Sequence, residues 1–328
     1  MENRDIVVIG ASAGGVTALK EVVACLPGDL KAAVFIVQHL SPETKSYLPE
    51  ILSYAGNLPA AHPKDGEIIE AGRIYVAKPD YHMIVEDNTI SVKKGPKENR
   101  FRPSIDVTMR SVACQFGGRA IGIVLTGRLT DGTSGLWSVK EMGGTTIVQA
   151  PEDSMFADMP NNVIKHIDVH HIVPLQEIGP LIIELVGQSA DQLKKTDEPL
   201  KELLKIETEI AAEENALEKG ITEMGEKTNL TCPECGGALV SLREGTSVRY
   251  RCHTGHGFSS ESLWLSINES IETKLWQAVR SLEEGIIFLE QSATHYDSQG
   301  DELNSTELYG KADELKSRSK ALIKFIYN

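Results

Sequence analysis

The sequence predicts an α/β fold: a doubly wound, mainly parallel sheet over residues 1–188, followed by a small cysteine-bearing module and a helical C-terminal region. Three observations carry this reading. Ile6-Val7-Val8-Ile9 is an apolar run rich in β-branched residues, and it ends in the small-residue turn Gly10-Ala11-Ser12-Ala13-Gly14-Gly15. From there Val16, Leu19, Val22 and Val23 fall on one helical face, so a buried strand feeds a helix through that turn. The alternation recurs to about residue 188. It then stops, the composition shifts to Glu and Lys, and Cys232, Cys235 and Cys252 precede a long apolar stripe.

Composition sets bounds on the rest. A chain of 328 residues with 41% hydrophobic content is sized for roughly two domains and a packed core. A formal net charge of −14 and a pI near 5.2 argue against a non-specific grip on nucleic acid or anionic lipid. No apolar run approaches the roughly 20 residues needed to cross a bilayer. Met1-Glu2-Asn3-Arg4-Asp5 opens into the first strand without a signal-peptide pattern. The expectation is a cytoplasmic protein that neither inserts into membranes nor binds nucleic acid. In a reducing compartment the three clustered cysteines read as metal ligands rather than disulfides. Cys25 and Cys114, in helical patterns beside apolar neighbours, read as inert core thiols.

Taken in order, Ala32 to Val37 is a second buried strand ending at Gln38-His39-Leu40-Ser41-Pro42. A helix is expected over Leu48 to Ala55 and a strand over Arg73 to Val76. His82–Val85 and Thr89–Val92 flank Glu86-Asp87-Asn88 as a hairpin. The polar loop from Lys93 to Ser104 is long for a compact domain, which marks it as functional, and a helix with Ser104 as N-cap follows to Phe116. Ala120 to Leu125 is another buried strand, leading through Thr126-Gly127-Arg128-Leu129-Thr130-Asp131-Gly132 into a helix near Thr133. Thr145 to Val148 forms a further strand, and helices near 160–166 and 177–188 close the domain.

Gly10-Ala11-Ser12-Ala13-Gly14 fits the G-x-S-x-G nucleophile elbow, in which glycines permit a sharp turn that lifts a serine hydroxyl to the sheet edge. A phosphate-binding turn is the alternative. A dinucleotide fingerprint is excluded, because Ser12 stands where its second glycine belongs. His39 and Asp131 also fall just beyond strand carboxyl ends, the edge where open α/β sheets collect their active groups. A serine, a histidine and an aspartate are what acyl transfer requires: a nucleophile, a base, and a carboxylate that holds the imidazole tautomer. Their order, Ser…His…Asp, differs from the Ser…Asp…His order of α/β-hydrolases.

With these motifs in place, the segment from about residue 5 to 187 resembles the catalytic domain of chemotaxis protein-glutamate methylesterases, the CheB-type family. The resemblance rests on Ile9 to Gly15, Gln38 to Pro42, Arg102-Pro103-Ser104-Ile105-Asp106-Val107, Leu125-Thr126-Gly127 with Asp131-Gly132, and Met159-Pro160. It implies Ser12 as nucleophile, His39 as general base and Asp131 as the carboxylate orienting His39. The oxyanion would be met by the backbone N–H groups of Ala13 and Arg128, and catalysis would need no cofactor. It implies hydrolysis of glutamyl methyl esters, and deamidation of glutamine, on methylated chemoreceptors or similar coiled-coil signalling proteins. The sequence departs from the family in two respects. Thr126-Gly127-Arg128-Leu129 stands where the family usually has T-G-M-G, and, with the catalytic strand opening the sequence, the receiver domain of the familiar enzyme is expected to be missing. A response regulator or methyltransferase would then act in trans.

Residues 189–228 read as an acidic helical linker, solvated rather than partner-binding. Over 229–260, Cys232-Pro233-Glu234-Cys235 and Cys252 with His256 make a zinc-ribbon-like module holding a structural zinc. His256 completes a Cys-x3-His spacing, whereas His253, adjacent to Cys252, is harder to direct at the same ion. Residues 261–328 form a helical hairpin whose stripe, Leu263, Ile267, Ile271, Leu275, Val279, Leu282, Ile286 and Leu289, is long enough for a homodimer. The leading function is the esterase. A non-catalytic signalling adaptor, using the esterase fold and zinc module as a binding platform, is the rival. A small-molecule ester hydrolase is a third reading.

Overall fold

The computed structural model describes residues 3–190, 198–212 and 216–327. The chain begins β1 (Ile6–Ala11), α1 (Gly15–Cys25), β2 (Ala33–Gln38), α2 (Leu48–Ala55), β3 (Ala60–Ala61), β4 (Glu67–Ile68), β5 (Ile74–Val76), β6 (His82–Glu86) and β7 (Thr89–Lys93). It continues through α3 (Ile105–Phe116), β8 (Ala120–Val124), α4 (Thr133–Glu141), β9 (Thr145–Gln149), α5 (Asp158–His166), β10 (His171–Val173) and α6 (Leu175–Leu185). After these come α7 (Glu198–Ala212), α8 (Ile221–Met224), β11 (Glu226–Thr231), β12 (Ala238–Glu244), β13 (Ser247–Cys252), β14 (Gly257–Ser259), α9 (Ser260–Ser298) and α10 (Glu302–Ile326). Two compact units result, Met1–Leu263 and Trp264–Asn328.

The first unit is built on a seven-stranded parallel sheet of order β10-β9-β8-β1-β2-β5-β3. Both faces are covered, which is why its strands read as continuous apolar runs. Along β1 the side chains alternate between two cores. Ile6 and Val8 pack with Ile105, Met109 and Val112 of α3. Val7, Ile9 and Ala11 pack with Leu19 and Val22 of α1 and Ile178 of α6. Strand order reverses around β1, with β2 on one side and β8 on the other, so a crevice opens at their carboxyl ends. The expected hairpin is β6–β7, turned by Asp87 and Asn88 at φ 46° and 60°, the left-handed sense that short hairpin turns require; β4 adds a third strand.

The four-stranded antiparallel sheet β11-β12-β13-β14 belongs to the same unit. A buried network of charges helps join it to the parallel domain. Arg110 of α3 makes a two-pronged pair with Glu98 at 3.1 and 2.7 Å. Arg251 of β13 reaches Glu98 at 2.6 Å and Glu207 of α7 at 3.0 Å. Arg249 holds Glu207 at 2.5 Å and Glu244 at 2.6 Å. All six side chains are buried. The solvated linker helix expected from the sequence therefore needs correction. Leu204, Glu207, Ile210 and Ala211 of α7 are buried, and Glu207, which reads as a solvent-facing acid, is buried because two arginines bond its carboxylate. Linker residues 191–197 and 213–215 lie outside the described residues.

Cys25 also needs correction: it is exposed, past the edge of the stripe Ala18, Leu19, Val22 and Val23 that α1 buries. Cys114 is half-buried, and burial pushes its thiol up to about 11. In the second unit, α9 and α10 form a hairpin broken at Gly300, where φ is 76° and Asp301 caps α10 by accepting from the Asn304 N–H. Lys316 meets Glu290 at 2.9 Å, and the Trp276 and Tyr327 rings meet edge to face with centroids 5.8 Å apart. Among the described residues no helix is long and apolar enough to cross a membrane.

Candidate active site

Ser12, His39 and Asp131 follow β1, β2 and β8, three adjacent parallel strands, and the sheet brings them together at one edge. His39 Nδ1 lies 3.1 Å from Ser12 Oγ, and His39 Nε2 donates to Asp131 Oδ2 at 2.8 Å. The tautomer follows from those partners. Nε2 carries the proton shared with the carboxylate, leaving the Nδ1 lone pair to accept from the serine. Gly14, at φ 76° in the turn after Ser12, takes the left-handed conformation that glycine adopts without strain and opens α1. Gln38 braces the turn from β2, its Nε2 donating to the carbonyls of Ser12 and His39 at 2.8 and 2.9 Å.

Asp131 is fully buried and richly bonded. Ser104 Oγ donates to its Oδ1 at 2.8 Å, the Ile105 N–H to its Oδ2 at 2.7 Å, and Asn99 Nδ2 to its Oδ1 at 3.0 Å. Ser104 occupies the N-cap position of α3 as expected, but its hydroxyl bonds the aspartate rather than the helix. Burial alone would raise the Asp131 carboxyl. The His39 hydrogen bond and charge, with the Asn99 and Ile105 donors, hold it below its ordinary value. Neighbouring Asp106 goes the other way, pushed well above the usual range by burial and by the Asp131 charge. Phe101 lies flat on the His39 ring, centroids 3.7 Å apart and planes 7° from parallel.

The turn before Asp131 comes close to Ser12. A Cβ on Gly127 would fall 2.9 Å from Ser12 Cβ and closer still to Met159, so only glycine fits there. Thr126 ties the two loops: its carbonyl accepts from the Ser12 N–H at 3.1 Å and its hydroxyl donates to the Ala13 carbonyl at 3.1 Å. Among the described residues neither the Ala13 nor the Arg128 N–H is engaged in a hydrogen bond. The Arg128 guanidinium lies over the Phe156 ring at 4.8 Å. Leu129, standing where the resemblance puts glycine, is held at φ 68°. A branched residue in that region is strained by an amount of order 1 kcal/mol or more. Leu129→Gly is accordingly expected to stabilise the fold by about 1 kcal/mol, less the entropy a glycine adds to the unfolded chain, read as a higher urea midpoint.

The cysteine cluster forms a second site. Cys232, Cys235, Cys252 and His256 bring one ligand atom each within 4.8 Å of one another. Cys235 and Cys252 sulfurs are 3.7 Å apart, and His256 Nδ1 is 3.6 Å from Cys252 Sγ and 3.8 Å from Cys232 Sγ. Tetrahedral zinc with bonds of about 2.3 Å to sulfur and about 2.0 Å to nitrogen places neighbouring ligands roughly 3.6–3.8 Å apart, so the four residues fit that ion. The His253 ring packs on Gly237 instead. Asn99, Phe101 and Gln38 are the site residues that sequence reasoning passed over. The length of the loop at 93–104 was the available signal for the first two.

The fold and this geometry define a class, a parallel α/β domain with a serine–histidine–aspartate constellation at the carboxyl edge of its central strands. A family model described as CheB methylesterase matches residues 7–182. The chain belongs to the CheB methylesterase family. A protein-glutamate methylesterase/protein-glutamine glutaminase 2 from Methanosarcina acetivorans is 35% identical over 192 residues, covering 56% of this chain and 54% of the relative. A protein-glutamate methylesterase/protein-glutamine glutaminase from Azospirillum brasilense is 37% identical over 191 residues, covering 57% of this chain and 48% of that protein. The chain thus spans about half the length of these relatives. The crystal structure of the Thermotoga maritima CheB methylesterase catalytic domain is similar with a TM-score of 0.54 and 32% identity, covering 57% of this chain and 100% of that one.

Proposed function

We propose that the chain is a protein-glutamate methylesterase and glutamine deamidase acting on methylated chemoreceptor-like signalling helices. The observation that carries this is the continuous Ser12–His39–Asp131 contact within a family whose relatives bear that name. Ser12 Oγ attacks the glutamyl ester carbonyl while His39 Nδ1 takes the hydroxyl proton. Asp131 stabilises the resulting imidazolium. Charge on the tetrahedral oxygen is met by the Ala13 and Arg128 N–H groups. Collapse expels methanol, protonated by His39, and leaves a glutamyl ester on Ser12. Water, deprotonated by His39, then releases the glutamate and returns the proton to Ser12. With glutamine as substrate, ammonia is the leaving group. Cys232, Cys235, Cys252 and His256 would hold a zinc ion whose part is structural, tying the turns of residues 229–260 together.

The test is methanol release from methylated receptor cytoplasmic fragments by the full chain, before and after Ser12 is blocked with an alkyl fluorophosphonate. Release that stops on blocking supports the reading; a folded, zinc-loaded chain that releases none overturns it.

A further inference from the structure

The loop that carries Asn99 and Phe101 is held from the metal-bearing sheet. Asn99 and Arg100 sit at φ 50° and 77° in a tight turn closed by the Phe101 N–H donating to the Glu98 carbonyl at 2.9 Å. Two successive non-glycine residues in the left-handed region persist only where the surroundings hold them. Here the surroundings are β14, which begins one residue after His256. The Asn99 N–H donates to the Gly257 carbonyl at 2.8 Å and the Gly257 N–H to the Lys97 carbonyl at 3.2 Å. The Asn99 side-chain carbonyl accepts from the Ser259 N–H at 2.8 Å and from Ser262 Oγ at 3.1 Å. That orients the amide, so that its Nδ2 faces Asp131 Oδ1 at 3.0 Å and Asp106 Oδ2 at 2.7 Å. A second tie runs through Arg251, the residue before Cys252, which bonds Glu98, the residue before Asn99, at 2.6 Å. Finally Thr130, next to Asp131, shares a hydrogen bond with Ser259 at 2.7 Å.

The geometry points to Asn99 as a positioning residue for the Ser12–His39–Asp131 site, set by the Cys232/Cys235/Cys252/His256 metal knuckle through β14. The turn between Cys252 and His256 is closed by the Cys252 N–H donating to the His256 carbonyl at 3.0 Å, and an ion held by both residues would clamp that turn to Cys232 and Cys235 and so fix where β14 begins. β14 then sets the 97–101 turn, which bonds Asp131 through Asn99 and stacks Phe101 on His39. Without the ion, nothing ties Cys232 and Cys235 to Cys252 and His256, and the 97–101 turn loses the fixed strand it is paired with. Metal occupancy therefore governs how well Asp131 and His39 are aligned, at a site where no metal touches substrate. The inference rests on the proposed role of Ser12 only for its chemical readout.

The experiment uses the full chain, as zinc-loaded protein, after chelation, and after reloading with zinc alone, beside a zinc-loaded Asn99→Ala variant. Hydrogen exchange of residues 97–105 and the rate of Ser12 labelling by an alkyl fluorophosphonate are read on each. Chelation is expected to raise exchange over 97–105 while β1 and β8 stay protected. Labelling is expected to slow by about a hundred-fold, as a misplacement of order 1 Å does, and reloading should restore both. Asn99→Ala is expected to keep one zinc and slow labelling comparably, with any loss of methanol release falling in kcat rather than KM. Unchanged exchange on chelation, exchange that rises without slower labelling, or an Asn99→Ala chain labelled at the wild-type rate each overturns the inference, as does a chain that binds no zinc. Failure of the esterase reading looks different: Ser12 labels in a zinc-dependent way, yet no methanol leaves the receptor fragment.

Discussion

A Ser12→Ala chain is expected to fold and load zinc normally and to release methanol at least about ten-thousand-fold more slowly than the wild type, the scale on which serine esterases and proteases lose activity with their nucleophile. Asp131→Asn should approach the same loss for a different reason. Asp131 accepts from His39, Ser104, Ile105 and Asn99. An amide offers one acceptor oxygen and points two donors at that ring of donors, so one side of the residue meets N–H and O–H groups head on. The imidazole then loses the partner that fixes its tautomer. The two variants separate in the labelling experiment: Ser12→Ala gives no adduct at all, whereas Asp131→Asn gives a slow one on an intact serine. Adduct formation by Asp131→Asn at the wild-type rate would show that the carboxylate does not orient His39.

Glu207→Ala is expected to destabilise the first unit by about 3–5 kcal/mol, because removing one member of a buried ion network leaves an uncompensated charge. The remaining charges are the guanidiniums of Arg110, Arg249 and Arg251 against Glu98 and Glu244, with nothing solvent-exposed to screen them. The sign with pH is fixed by the carboxyls. Burial opposes ionisation of Glu98 and Glu207, but the surrounding arginines outweigh it and hold both carboxyls below the ordinary value. Their contribution is therefore complete above the unfolded glutamate value of about 4.3 and fades as pH falls through the folded values. Glu244 runs opposite, raised by burial. Urea unfolding at neutral pH should show the gap between wild type and Glu207→Ala, and the gap should narrow in acid. A gap below about 1 kcal/mol at pH 7 would mean the pairs behave as surface salt bridges do.

The parallel sheet and the three strand-end residues were legible because each lies just beyond a short apolar run rich in β-branched residues and flanked by glycine or proline, the pattern of a strand buried on both faces. The cysteine site was legible from spacing alone, since a C-x-x-C knuckle and Cys-x3-His restrict the chain locally. The ion network was not. Arg251 and Glu98 are far apart in sequence, and Glu207 lies in a stretch of Glu and Lys whose pattern is that of a solvated helix. Charge pairs brought together by tertiary packing leave no period to read. Asn99 was hidden for the same reason: its role depends on a strand more than 150 residues away. Cys25 misled because one residue beyond a buried helical stripe looks the same as one within it.

Ser12, His39 and Asp131 each hang from a different one of the three central strands, with two further strands on either side: β9 and β10 beyond β8, β5 and β3 beyond β2. Fraying at either margin of the sheet leaves the three in register, while any slip between β8, β1 and β2 separates them at once. Labelling of Ser12 by the fluorophosphonate is thus expected to follow the cooperative unfolding of the sheet's centre. Heating or denaturant should shed the outer strands before it silences the serine.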